Sequence, residues 1–129
     1  MLTHCLASSL AGNLLQKLRA DGQSLLKGAV FFSGMAPLDS AICEKGELGF
    51  LEQPEKHQLI SIPTASIWGT HSRVHTQTSL NIDAFCTQEK HIGLVHAAHT
   101  SIPGASDEIE LVATAQVIRQ TVEMAVAAF

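Results

Sequence analysis

Gly28-Ala29-Val30-Phe31-Phe32-Ser33-Gly34 is the stretch on which the fold turns. Four apolar residues run together between glycines, with no polar residue at alternate positions. A strand that buried one face would alternate, so this run predicts a strand covered on both faces, as in a parallel sheet layered by helices. Two later stretches share its character. Ile62-Pro63-Thr64-Ala65-Ser66-Ile67-Trp68-Gly69 reads as a second strand, with Pro63 at its start, where no ladder hydrogen bond is lost. Ile92-Gly93-Leu94-Val95-His96 reads as a third.

Helical periodicity lies on either side of these strands. Leu6, Leu10, Leu14 and Leu18 recur every four residues beside Ala7, Ala11 and Leu15, which predicts an amphipathic helix over Leu2–Ala20, closed by Asp21-Gly22. Thr76–Cys86 reads as a shorter helix, with Leu80 and Ala84 on one side and Ile82 and Phe85 close by. At the end of the chain Leu111, Ala115, Ile118, Val122, Ala125 and Phe129 form a stripe expected to face the core, and Asp107 and Glu110 read as an acidic capping-box pair. The polar segment Leu38–Leu59, with Pro54 inside it, reads as a loop or short excursion. Helices alternating with strands predict an α/β fold of about three parallel strands with flanking helices.

Bulk properties narrow the function classes. A chain of 129 residues fits one domain, and 46% hydrophobic residues make it globular. A net charge of −4, with eight scattered Lys and Arg residues, leaves no basic footprint for nucleic acid. Apolar stretches are broken well before the ~18 residues of a membrane span, so no membrane partner is expected. The Leu- and Ala-rich start lacks a charged leader and is interrupted by His4, Ser8, Ser9 and Asn13, which favours a helix over a signal peptide. Cys5, Cys43 and Cys86 are too widely spaced for a disulfide framework or a zinc signature, so a reduced, cytoplasmic setting is the expectation. No Gly-rich phosphate loop precedes a helix, and no cofactor is expected.

Ligands of open α/β sheets sit at the carboxyl ends of the strands. Three segments meet there: Ser33-Gly34-Met35-Ala36-Pro37, Gly69-Thr70-His71-Ser72 and His96-Ala97-Ala98-His99-Thr100-Ser101-Ile102-Pro103. His71, His75, His96 and His99 bring imidazoles to that edge, but no Cys or carboxylate stands at matching spacing for zinc. Cys5, at a helix start, reads either as a substitute nucleophile or as an inert buried thiol, and the second is the commoner case. Asp107 reads as a cap and Asp83 as a solvated helix residue.

The order and spacing of these segments resemble the fungal-type serine hydrolase (FSH) family of the α/β-hydrolase superfamily, which includes thioesterases that release polyketides from their synthases. Residues 29–34 with Pro37 resemble the strand after the elbow helix, residues 62–69 the strand leading to the triad acid, and residues 96–103 the loop bearing the triad histidine. The resemblance covers nearly the whole chain and implies a single truncated domain over residues 1–129, lacking the N-terminal strands and nucleophile elbow. It places His99 at the general base, which takes the serine proton and later returns it to the leaving group. Ala98 stands where the family has glycine, and Ser72 where it has the acid. No G-x-S-x-G elbow occurs in the chain. The resemblance thus implies an esterase- or thioesterase-type protein of secondary metabolism that does not turn over substrate alone. Its implied partners are a small ester or thioester and a polyketide synthase carrier domain. The alternative is a non-catalytic binding or accessory module using the same strand-end pocket. A missing elbow strand would leave the edge of residues 29–32 exposed, which predicts oligomerisation through that edge. A clipped gene and a decayed paralogue both fit the missing elbow; the change at Ser72 favours decay.

Overall fold

The computed structural model describes residues 1–4, 10–15, 17, 26–55, 59–70, 80–97, 102–104 and 107–127. Its centre is a four-stranded, all-parallel sheet in the order β1-β2-β3-β4, with β1 at Leu2–His4, β2 at Ala29–Phe32, β3 at Thr64–Gly69 and β4 at His91–His96. The three strands expected from the apolar runs are β2, β3 and β4. Helices cover both faces, so the chain has an α/β fold.

The unalternated run of β2 is explained by what lies on each side of it. Ala29 and Phe31 point to one face, where they meet Ala11 and Leu15 of helix α1 (residues 10–15, with 17) and Ile82, Phe85 and Cys86 in and after helix α3 (residues 80–83). Val30 and Phe32 point to the other face with Ala65 and Ile67, against Val117 of helix α4, Glu108–Ala127. All four β2 side chains are buried. The segment after β2 holds a short helix α2, Ser40–Cys43, capped by the Asp39 carboxylate, and an antiparallel bridge between Leu38 and Phe50. It is a short excursion, as expected.

Four expectations are corrected. The chain does not start as a helix: Leu2–His4 is a strand, and Val30 N–H donates to the Met1 carbonyl at 2.8 Å. The β2 edge is therefore covered, and among the described residues the open edge moves outward to β1, where Leu2 is 61% exposed. Of the helix read over residues 76–86, residues 80–83 are described as helical; Ile82 is buried, Phe85 and Cys86 follow it inward, and Leu80 and Ala84 share the exposed side. The stripe of α4 is also rotated. Ala125 is buried and Ile118 packs against the core as expected, but Thr114, Val117 and Thr121 complete the sheet-facing side, whereas Leu111, Ala115 and Val122 are exposed. The cause is close approach at Gly28, where an added β-carbon would lie 3.4 Å from the Ala125 β-carbon and 3.8 Å from Thr121 Cγ2. Small residues let the helix come down on β2; Leu or Val there would hold it off. Finally, the capping box does not close. The Asp107 carboxylate accepts from Gly104 N–H at 3.4 Å, and Glu110 reaches Ala97 N–H at 3.5 Å. Phe129 and the Gly22 cap lie outside the described residues.

Candidate functional site

The carboxyl ends of β2, β3 and β4 bring Ser33, Thr70 and His96 to one edge, as their strand positions require. Ser33 leaves β2 in the left-handed region, with φ at 46°, a conformation that is costly for a residue with a β-carbon. The kink is held from two sides. Ser33 N–H donates to the Ile67 carbonyl of β3 at 2.9 Å. Further along, the side chain of Asn13 on α1 clamps Leu38, accepting from its N–H at 2.9 Å and donating to its carbonyl at 3.0 Å. Ser33 is buried and its hydroxyl has no hydrogen-bond partner. Thr70 N–H donates to the His96 carbonyl at 3.0 Å, which ties the ends of β3 and β4 together. The His96 ring is buried beneath that junction with both nitrogens unpartnered.

His99, the expected base, lies outside the described residues, as do Ser72 at the acid position, His71, His75 and Cys5. Among the described residues no group of three or more His, Cys, Asp or Glu side chains is arranged to hold a metal ion. No described helix is long and apolar enough to cross a membrane.

A second polar cluster sits at the opposite, amino-terminal edge, and sequence reasoning missed it. The ring of His91, at the start of β4, meets Thr64 Oγ1 at 2.8 Å through Nδ1, and its Nε2 lies 3.2 Å from the Asp83 carboxylate. The Asp83 contact is an ion pair by distance; its angles fall outside those of a hydrogen bond. Asp83 is thus a partner of a buried ring, not a solvated helix residue. Burial is the largest influence on His91 and opposes its charge. The Asp83 carboxylate and the Cys86 sulfur together outweigh it, so the pKa rises from 6.5 to about 9. The ring is therefore an imidazolium at neutral pH. No signal in the sequence pairs Asp83 with His91, since eight residues and a change of element separate them. This edge carries fold stability; it lies away from the strand ends where ligands bind.

No family model, curated protein or solved structure matches the chain.

Proposed function

We propose that the chain is a serine-hydrolase-type scaffold, of the esterase and thioesterase kind, that does not turn over substrate by itself. The observation that supports this best is the sheet. Parallel strands in sequential order, β1-β2-β3-β4, carry a kinked Ser33, Thr70 and His96 to one carboxyl edge. That is the order in which the resembled family presents its later strands, and the resemblance puts the general base at His99, outside the described residues. Without an elbow serine and with Ser72 at the acid position, the remaining histidine has neither a nucleophile to deprotonate nor a carboxylate to hold its charge. The substrate class in this reading is a small ester or thioester, including an acyl group on a carrier domain. A p-nitrophenyl ester and an acyl thioester, each offered to the purified chain and to His99→Ala, test it. Rates equal to buffer in both proteins are expected. Turnover by the parent chain that disappears in His99→Ala would overturn the inactive reading.

A binding or accessory role is the second reading, favoured not by the strand-end pocket first expected but by a trough of about 310 Å³ between the last turns of α4 and the starts of β1 and β2. Leu2, Val30, Ile118, Val122 and Val126 make it largely aliphatic, as small-molecule sites commonly are. Saturable binding of an acyl probe, lost in Val122→Asp, is the result this role requires.

A further inference from the structure

The trough between the last turns of α4 and the starts of β1 and β2, with its volume of about 310 Å³, is large enough to hold a small ligand. Its inner surface offers an occupant little hydrogen bonding. Leu2, Val30, Ile118, Val122 and Val126 supply aliphatic side chains. The hydroxyl of Thr121 donates to the Val117 carbonyl of its own helix at 2.8 Å, which leaves its methyl group for the trough. Backbone groups of the floor are engaged as well. Ala29 N–H donates to the Pro63 carbonyl at 3.0 Å, and Val30 N–H to the Met1 carbonyl at 2.8 Å. The Gly28 carbonyl accepts from the Met1 amino group at 3.1 Å.

These surroundings select the part of a ligand that lies inside. A sugar, a peptide or a nucleobase would lose its hydrogen bonds to water and regain few. No aromatic ring stands among the described lining residues, so a flat ring system has nothing to stack on. An alkyl chain loses nothing of this kind and gains by leaving water. From Ile118 to Val126 the helix advances roughly 12 Å, the length of an extended medium-chain alkyl group.

Charge lies at one end. Lys27 immediately precedes Gly28, where an added β-carbon would touch Ala125 and Thr121, so it lines the trough where α4 finishes. It is the one charged side chain among the described lining residues, and no carboxylate is among them. The end of α4 works against an anion, since its last turn carries no basic residue of its own. A helix terminus amounts to about half a unit charge, however, and Lys27 carries a full one.

We propose that the trough binds a medium-chain fatty carboxylate, with the alkyl chain along α4 and the carboxylate at Lys27. This rests on the binding reading of the trough and adds to it the shape and the charge of the ligand. The site lies at the amino-terminal edge of the sheet, away from Ser33 and His96, so the molecule is held there and not presented to the strand ends.

Isothermal titration of the full chain with octanoate and with octan-1-ol, at neutral pH and in true solution, separates chain from charge. Saturable one-to-one binding of octanoate is expected, about tenfold tighter than that of the alcohol, as one charge-assisted hydrogen bond would give. Lys27→Gln should bring the two to equal affinity, and Lys27→Arg should keep the difference. Lys27 is exposed, so both variants are expected to fold. Intermolecular nuclear Overhauser contacts from the octanoate chain should fall on the methyl groups of Val30, Ile118 and Val122. Equal affinity in the parent chain, or a preference that survives Lys27→Gln, overturns the carboxylate assignment while the binding reading stands. If neither molecule binds, both fall. Contacts confined to other methyl groups would place the ligand elsewhere and overturn the site.

Discussion

His91 is reached from three directions. Thr64 comes from the neighbouring strand, Asp83 from α3 and Cys86 from the turn after it, so one ring ties α3 to the start of the sheet. Its raised pKa makes that tie depend on pH. A group whose pKa is higher folded than unfolded adds stability that is fully present below the unfolded value and is lost as pH climbs through the folded one. For His91 the window runs from 6.5 to about 9. A shift of that size corresponds to at most about 3.5 kcal/mol. Urea unfolding at pH 6, 7.5 and 9.5 should therefore give midpoints that fall across the series. Asp83→Asn, which removes the opposing charge and keeps the shape, should flatten most of that slope; an unchanged slope would mean that His91 is not the titrating group. Single residues were the least legible level of this chain. The sequence named the strand-end segments because strand ends follow from apolar runs. It did not single out Ser33 for its backbone, because a positive φ depends on how the next segment is clamped, here by Asn13 and Leu38. Nor did it pair Asp83 with His91, because that contact exists only once α3 lies against β4.

Elements were more legible, and the reasons for success and failure differ. Runs 29–32, 62–69 and 92–96 fell on the strands Ala29–Phe32, Thr64–Gly69 and His91–His96; β2 and β3 are buried on both faces, which leaves little ambiguity, and β4 was legible from its apolar run alone. For α4 the existence of the helix was plain, whereas its orientation was not. Periodicity ranks Leu, Ile and Val above Thr, so it aimed Leu111, Ile118 and Val122 inward, and of these only Ile118 packs against the core. The fold instead chose the side that allows close approach, with Thr121 satisfying its own hydroxyl on the Val117 carbonyl at 2.8 Å. A threonine that bonds within its own helix presents mainly its methyl group to the sheet, and a hydropathy scale does not see that. The rotation makes a sharp contrast testable. Val117→Ala, which opens the cluster under α4, should cost about 2 kcal/mol. Val122→Lys, at a position 54% exposed, should stay within about 0.5 kcal/mol of the parent. Chemical denaturation of both variants decides the matter. The opposite ranking would put the helix back on its apolar stripe.

At the scale of the whole molecule the sheet is well covered in the middle and thin at its rims. β2 and β3 are buried on both faces, but β4 exposes Val95 and β1 exposes Leu2. The α4 helix touches β2, β3 and β4, and its flank of Val122 and Val126 looks across the trough toward β1. The ladder shows where β1 is open. Met1 uses its carbonyl on Val30, and in a parallel pair alternate residues serve the same neighbour, so the backbone groups of Leu2 and His4 point outward. An edge of that kind beside an apolar trough is a template for another strand. A second copy brought to it by a two-fold axis would pair β1 with β1 in antiparallel fashion. The α4 helices would remain apart, since each lies over the inner strands. Such contact is short and rests on the strand edge more than on helix packing. Self-association in sedimentation velocity runs should accordingly grow with protein concentration. Leu2→Lys places a charge at the centre of the edge and should shift the distribution toward monomer. Because Leu2 is already largely exposed, the unfolding midpoint should move little. Association that is indifferent to Leu2→Lys but falls in Val95→Lys would locate the sticky rim at β4 instead, and the outer edge of β1 would then be sufficiently guarded by its shortness alone.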